Sequence, residues 1–161
     1  MNYMKTKILL FINLPILCLF LSCSPKVDSE TEKSAVTEAV NRLYQSFENK
    51  DISLMSEIMA HDENMLSFGT NISDIHNSWT EWRNNHIIQF EAFDKAKINS
   101  KNMNVYLSQN SHVAWFADVS DWTLTINNEN VQMKDIRITG VLEKRNNAWK
   151  IVQIHASVPQ N

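Results

Sequence analysis

The stretch RITGVLEKRNNAWKIVQIHASVP, residues 137–159, reads as two β-strands joined at Asn146-Asn147, because branched and aromatic residues alternate with polar ones on both sides of the asparagines. Arg137, Thr139, Gln153, His155 and Ser157 recur inside these runs, so the residues that share a face decide what the sheet turns towards its core. Two closures are available. A two-residue loop pairs Arg145 with Ala148 and sets odd positions of the first strand against even positions of the second. A three-residue loop, with Asn147 in a left-handed bulge position, pairs Lys144 with Ala148, and odd then faces odd. The second closure sorts the residues better. Ile136, Ile138, Leu142, Val152, Ile154, Ala156 and Val158 make one apolar face. The other face carries Asp135 across from Ser157, Arg137 across from His155 and Thr139 across from Gln153, with Val141, Trp149 and Ile151 towards the turn. This register is the expectation, with the polar set forming a hydrogen-bonded cluster in a pocket. A face simply turned to water is the competing reading.

Ahead of this hairpin the period changes. Val36, Ala39, Val40, Leu43, Tyr44 and Phe47 recur at helical spacing over 32–49, and Ser29 with Glu32 suggests a capping box. Asp51 is an N-cap candidate for a second, shorter helix through residue 60. A short strand over 65–68 and a polar loop over 69–77 follow. Ser78 and Glu81 then open a third helix with Trp79, Trp82, His86, Phe90 and Phe93 on one stripe. From residue 97 onward, β-rich segments at 97–108, 111–126, 131–144 and 148–158 are separated by asparagine-rich turns. With only two glycines in the chain, asparagine is expected at the left-handed turn positions. Helices followed by an antiparallel meander make an α+β domain with the helices on one face of a curved sheet.

The N-terminus reads as a leader. Lys5 and Lys7 precede an apolar run over 8–21 that is shorter than the roughly 20 residues of a membrane-spanning helix. It ends in Leu19-Phe20-Leu21-Ser22-Cys23, which resembles a bacterial lipobox, with Phe20 where leucine is usual. The resemblance implies lipidation of Cys23; an ordinary signal peptide or an uncleaved anchor is the alternative. The expected division is a signal peptide over 1–22, a polar tether over 23–31 and one domain over 32–161. The expected location is the bacterial cell envelope, at the outer membrane, with the lipid as the only membrane attachment. The two cysteines fall at 18 and 23, so the domain keeps none for a disulfide, a thiolate metal site or thiol catalysis. The formal charge of the chain is −3, and −5 once the two lysines of the leader are removed. A mildly acidic surface without a basic run argues against nucleic acid as a partner.

The layout of helix, helix, strand, helix and a long meander closes with Thr139-x-Val141-Leu142 and Trp149-Lys150-Ile151-Val152-x-x-His155-x-Ser157-x-Pro159. Together with Ala114-Trp115, this resembles the SnoaL-like branch of the nuclear transport factor 2-like superfamily over residues 32–159. The resemblance implies a cone: a strongly curved antiparallel, in part mixed, sheet wrapped around about three N-terminal helices, with a pocket at its wide end. It also implies a homodimer through the sheet's outer face. The polar cluster would then look into the cone, and the apolar face would join the packing of the sheet or a dimer contact. The family spans cyclases, an isomerase, a dehydratase, association domains and proteins without known activity, so the fold leaves the function open.

Two chemistries fit the expected pocket of Asp135, Arg137, Thr139, Gln153, His155 and Ser157, with Trp79, Trp82 and Trp115 as apolar lining. One is a binding module for a small polar or anionic ligand. The other is an acid–base enzyme of isomerase, cyclase, dehydratase or hydrolase type acting on a small apolar carbonyl or hydroxyl compound. There His155 would carry the proton, Arg137 would stabilise an oxyanion and Asp135 would act as base or orienting partner. A dimeric interaction scaffold is a third reading. No cofactor is expected. His61, His76, His86, His112 and His155 lack the paired spacing of a metal site, and no serine sits at a nucleophile elbow. On the helical stripe, His86 reads as a hydrogen-bonded core histidine.

Overall fold

A computed structural model of the chain describes residues 28–63 and 65–159, so the leader, Cys23 and most of the tether lie outside the described residues. Helix α1, Ser29–Glu48, buries Val36, Val40, Leu43, Tyr44 and Phe47 along one stripe. Asp28 caps it, accepting from the Glu30 N–H, so the Ser29–Glu32 capping box does not form. The Glu32 carboxylate reaches instead to the Lys144 ammonium and, at 3.0 Å, the Trp149 indole N–H, which ties the first turn to the sheet. Asp51 does cap α2, Ile52–Ile58, its Oδ1 accepting from the Leu54 N–H at 2.9 Å.

Strands β1 (Leu66–Phe68) and β2 (Ile75–His76) form a short hairpin within the segment expected to be a strand and a loop. Helix α3, Trp79–Glu91, starts on Ser78, whose hydroxyl accepts from the Glu81 N–H while the Glu81 carboxylate accepts from the Asn77 N–H at 2.8 Å. The meander follows as β3 (Lys95–Ser100), β4 (Asn104–Leu107), β5 (Val113–Ile126), β6 (Glu129–Arg145) and β7 (Ala148–Ser157). The expected strand over 97–108 is broken in two, because Asp118 of β5 turns a carboxylate oxygen to the Asn102 N–H and the Ser100 hydroxyl at the break.

The seven strands make one mixed sheet in the order β2-β1-β7-β6-β5-β3, with β4 also on β5 and only β1 parallel to its neighbour β7. Three helices lie against this bent sheet in the expected α+β cone. Bulges between Ser120 and Trp122 and between Val141 and Leu142 interrupt the long strands, and such insertions bend and twist a sheet. Asparagines take left-handed turn positions as expected: Asn127 and Asn128 join β5 to β6, and Asn146 and Asn147 join β6 to β7. Gly140 is required for a close approach, since a Cβ there would stand 2.5 Å from the Phe116 ring.

The register of the last hairpin differs from the expected one. Both turn asparagines are left-handed and Arg145 pairs with Ala148, so the turn is the two-residue form whose twist suits adjoining strands. Leu142 pairs with Ile151 but Val141 pairs with Gln153, leaving Val152 as the extra residue of a bulge. The bulge restores odd facing odd, displaced by one pair. Arg137 stands opposite Ser157, Thr139 opposite His155, and Asp135 has no partner on β7.

The direction of the faces is also the reverse of the expected one. Ile136, Ile138, Leu142 and Ile154 pack with the stripe of α1 in the core, whereas Arg137, Thr139 and His155 are exposed. The physical reason is the helices themselves: their apolar stripe needs an apolar surface opposite, and an unpaired guanidinium there would lose its hydration. Burying each such large apolar side chain contributes roughly 1.5–3 kcal/mol.

Candidate functional site

A cavity of about 130 Å³ remains between the helices and the inner face of the sheet. Ile138, Ile154 and Ala156 form its floor, and Leu43, Tyr44, Phe47 and Met55 form the wall from α1 and α2. Helix α3 supplies Trp82, Asn85, His86 and Gln89, which recur at i, i+3, i+4 and i+7 and therefore share one side of the helix. Ile98 and Trp122 come from β3 and β5. The β1–β2 hairpin brings Ser67, Thr70, Asp74 and His76 to the same cavity. Its loop closes tightly, because the Gly69 N–H donates to the Asp74 carbonyl at 2.7 Å and a Cβ on Gly69 would meet Asp74 Cβ at 2.5 Å.

The polar groups divide into those already satisfied and those with capacity left. Tyr44 Oη donates to Asp118 Oδ2 at 2.9 Å, and the Ser100 hydroxyl and Asn102 N–H donate to Asp118 Oδ1 at 2.9 and 3.3 Å. Burial, and after it the Asp118 charge, hold the Tyr44 phenol well above its ordinary pKa, so it stays protonated and its proton is committed to Asp118. His86 Nδ1 lies 2.9 Å from the Trp82 carbonyl oxygen, which can only accept. Nδ1 therefore carries the proton of the neutral ring, and Nε2 is left as an acceptor. Burial is the main cause that pulls His86 down to about 4, and His76 adds to it against the opposing Trp82 carbonyl and Asp74. His76 Nδ1 is buried and has no hydrogen-bond partner among the described residues. Buried imidazole nitrogens without partners are uncommon and point to a missing water or ligand group.

The sequence-expected residues do not come together in one place. Trp82 lines the cavity. Arg137, Thr139, Gln153, His155 and Ser157 do gather on one side of β6 and β7, together with Trp115, but it is the outer side of the sheet. There Trp115 stacks on Tyr106 with centroids 5.8 Å apart and is 45% exposed. His155 meets the edge of Phe68 at 6.0 Å. Asp135 pairs with Lys101 at 2.6 Å rather than with Arg137. Trp79 stacks on His61 at 4.7 Å, outside the cavity. His86 is buried and hydrogen-bonded as expected of a core histidine, and it also lines the cavity.

Asp74 and the contact between Tyr44 and Asp118 were not singled out from sequence. His76 was weighed only as a metal ligand, and Asp118 only as half of a carboxylate pair with Asp121, set aside because residues three apart on a strand face opposite sides. One signal was present for Asp118: it falls in the same alternating phase as Ala114, Phe116 and Ser120, all buried, so a carboxylate there must have dedicated donors. Among the described residues, no group of three or more His, Cys, Asp or Glu could hold a metal ion, and no helix is long and apolar enough to cross a membrane.

Solved structures share this architecture. A nuclear transport factor 2-like superfamily protein from Salmonella enterica superposes with a TM-score of 0.75 at 18% identity, covering 83% of this chain and 95% of the other. A candidate dehydratase of the NTF2-like family from Streptomyces avermitilis gives 0.75 at 12% identity, covering 83% and 100%. A candidate ketosteroid isomerase from Shewanella frigidimarina gives 0.63 at 19%, covering 78% and 97%. At these identities the likeness is one of fold. No curated protein matches the sequence. The sequence profile of the SnoaL-like domain matches residues 36–161, which takes in the helical wall, the β1–β2 hairpin and the whole sheet around the cavity. The chain belongs to the SnoaL-like domain family and adopts the nuclear transport factor 2-like fold.

Proposed function

We propose that the cavity on the inner face of the sheet binds a small, largely apolar molecule with a polar end directed at Asp74, His76 and His86. The observation that carries this reading is the meeting of Asp74, His76 and His86 in a cavity with mostly apolar walls, since ligand sites combine apolar lining with a few convergent polar groups. At about 130 Å³ the space is comparable to a cavity of about 150 Å³ that accommodates benzene, so the ligand is of single-ring size. Binding is favoured over turnover by the state of the titratable groups. A histidine pulled down to about 4 is a weak base at neutral pH, and the Asp118 carboxylate already accepts from Tyr44, Ser100 and Asn102.

Acid–base turnover of a small carbonyl or hydroxyl compound is the second reading, and His76 would then move the proton from the cavity wall. In the same proposal, residues 1–22 direct export and a lipid on Cys23 holds the domain at the cell envelope. The outer face, with exposed Tyr106 and Trp115, would pair two copies. The test of the cavity is calorimetric titration with small ring compounds against wild type and Ala156→Leu, a substitution that fills the floor. Binding lost in Ala156→Leu supports the reading, whereas equal affinity in both proteins contradicts it. A rate that vanishes in His76→Ala with affinity kept would establish the second reading. Release of Cys23→Ala from the membrane fraction would support the anchor.

A further inference from the structure

The charge inventory of the cavity walls goes one step beyond the site itself. Resting on the cavity being a ligand site, we infer that it takes a small amine, held as its ammonium ion against Asp74 and the surrounding rings. Asp74 is the one carboxylate among the lining residues, and neither lysine nor arginine lines the cavity. A ligand carboxylate would therefore enter beside a like charge with no cation to offset its lost hydration. Asp74 Oδ2 accepts from the backbone and side-chain N–H groups of Asn71 at 3.2 and 3.0 Å, while Oδ1 has no hydrogen bond among the described residues. That oxygen is open to a donor from the ligand.

The neighbouring groups agree in sign. His86 presents an acceptor nitrogen, because its Nδ1 proton is directed to the Trp82 carbonyl. The Tyr44 hydroxyl is directed to Asp118, and the donors left to the cavity, Ser67, Thr70, Asn85 and Gln89, are neutral and cannot offset the charge of an anion. Aromatic rings make up part of the remaining walls, beside aliphatic side chains. Phe47 and Trp122 lie with centroids 4.9 Å apart, and Trp82 stands 4.0 Å from His86. The negative faces of such rings attract an organic cation. The basic side chain of Arg137 lies on the opposite side of the sheet, where it cannot compensate an anion in the cavity.

The test is calorimetric titration of the full chain with benzylamine, benzyl alcohol and benzoate, which share one ring and differ in the charge of the head. Benzylamine is expected to bind about tenfold more tightly than benzyl alcohol, and benzoate more weakly than either. Asp74→Asn should bring benzylamine down to the affinity of benzyl alcohol, while Arg137→Ala should keep the preference. Benzyl alcohol or benzoate binding as tightly as benzylamine would overturn the inference and leave the cavity reading standing. So would a preference that survives in Asp74→Asn. Failure of all three probes to bind would remove the cavity reading and this inference with it. The ranking of the probes on wild type decides the question even if Asp74→Asn does not fold.

Discussion

The two sides of β6 and β7 are built from alternate residues of the same strands, yet they obey different rules. On the inner side Ile136 and Ile138 are each 2% exposed and Leu142 is fully buried; on the outer side Arg137 and Thr139, their sequence neighbours, are exposed. The outer side holds the more conspicuous residues, an arginine and a histidine among short polar groups. The inner side forms the floor of the cavity with Ile138, Ile154 and Ala156. Chemical conspicuousness in a strand is therefore a weaker guide to a site than the phase in which a residue falls.

The largest effect should come from testing that phase directly. Ile138→Asp places a carboxylate against the helices and is expected to cost more than about 4 kcal/mol, whereas Thr139→Glu, one residue on, should stay within about 1 kcal/mol. Urea unfolding of the two variants measures both, and similar losses would break the comparison.

The next effect is a pH dependence. His86 is held at about 4 in the fold against 6.5 for an ordinary histidine, so the unfolded chain takes up the proton first as pH falls. Stability is thus fully present above about pH 6.5 and is lost on acidification towards 4, by on the order of 3 kcal/mol. His86→Gln should flatten that part of the stability–pH profile. A smaller loss, about 1–3 kcal/mol, is expected for Tyr44→Phe, which leaves the buried Asp118 carboxylate one donor short. The smallest belongs to the outer side: Arg137→Ala with His155→Ala should shift the melting temperature little and leave cavity affinity unchanged, because neither side chain makes a hydrogen bond or an ion pair among the described residues. A large shift from this pair would show that the outer side carries more of the structure than its exposure suggests.

Much of the architecture was legible because it rests on local signals. The Asp51 and Ser78 caps, the helical stripes and the asparagine turns each depend on residues within a few positions of one another, and each is found where the sequence places it. The features that were not legible depend on distant partners. The bulge at Val152 is set by pairing across the hairpin, and no composition marks which residue will be left over. Glu32 satisfies the capping pattern with Ser29 but is drawn to Lys144 and Trp149, more than a hundred positions away. The cavity's polar end brings Asp74 and His76 from a two-strand hairpin against His86 of α3, a meeting that only the folded chain reveals. The outer residues were legible as sharing one face but not as to side, because alternation defines two faces without saying which one the helices cover, and the expected hydrogen bonds among them do not form among the described residues.

The most direct test of the inner-face site is a heteronuclear NMR titration of the isotope-labelled protein with benzylamine, following backbone and side-chain resonances. Shifts concentrated at Trp82, His86, Ile138 and Ile154, saturating together, are the predicted result. Shifts concentrated at Arg137, Thr139 and His155, with the cavity residues unmoved, would contradict it and move the site to the outer face of the sheet.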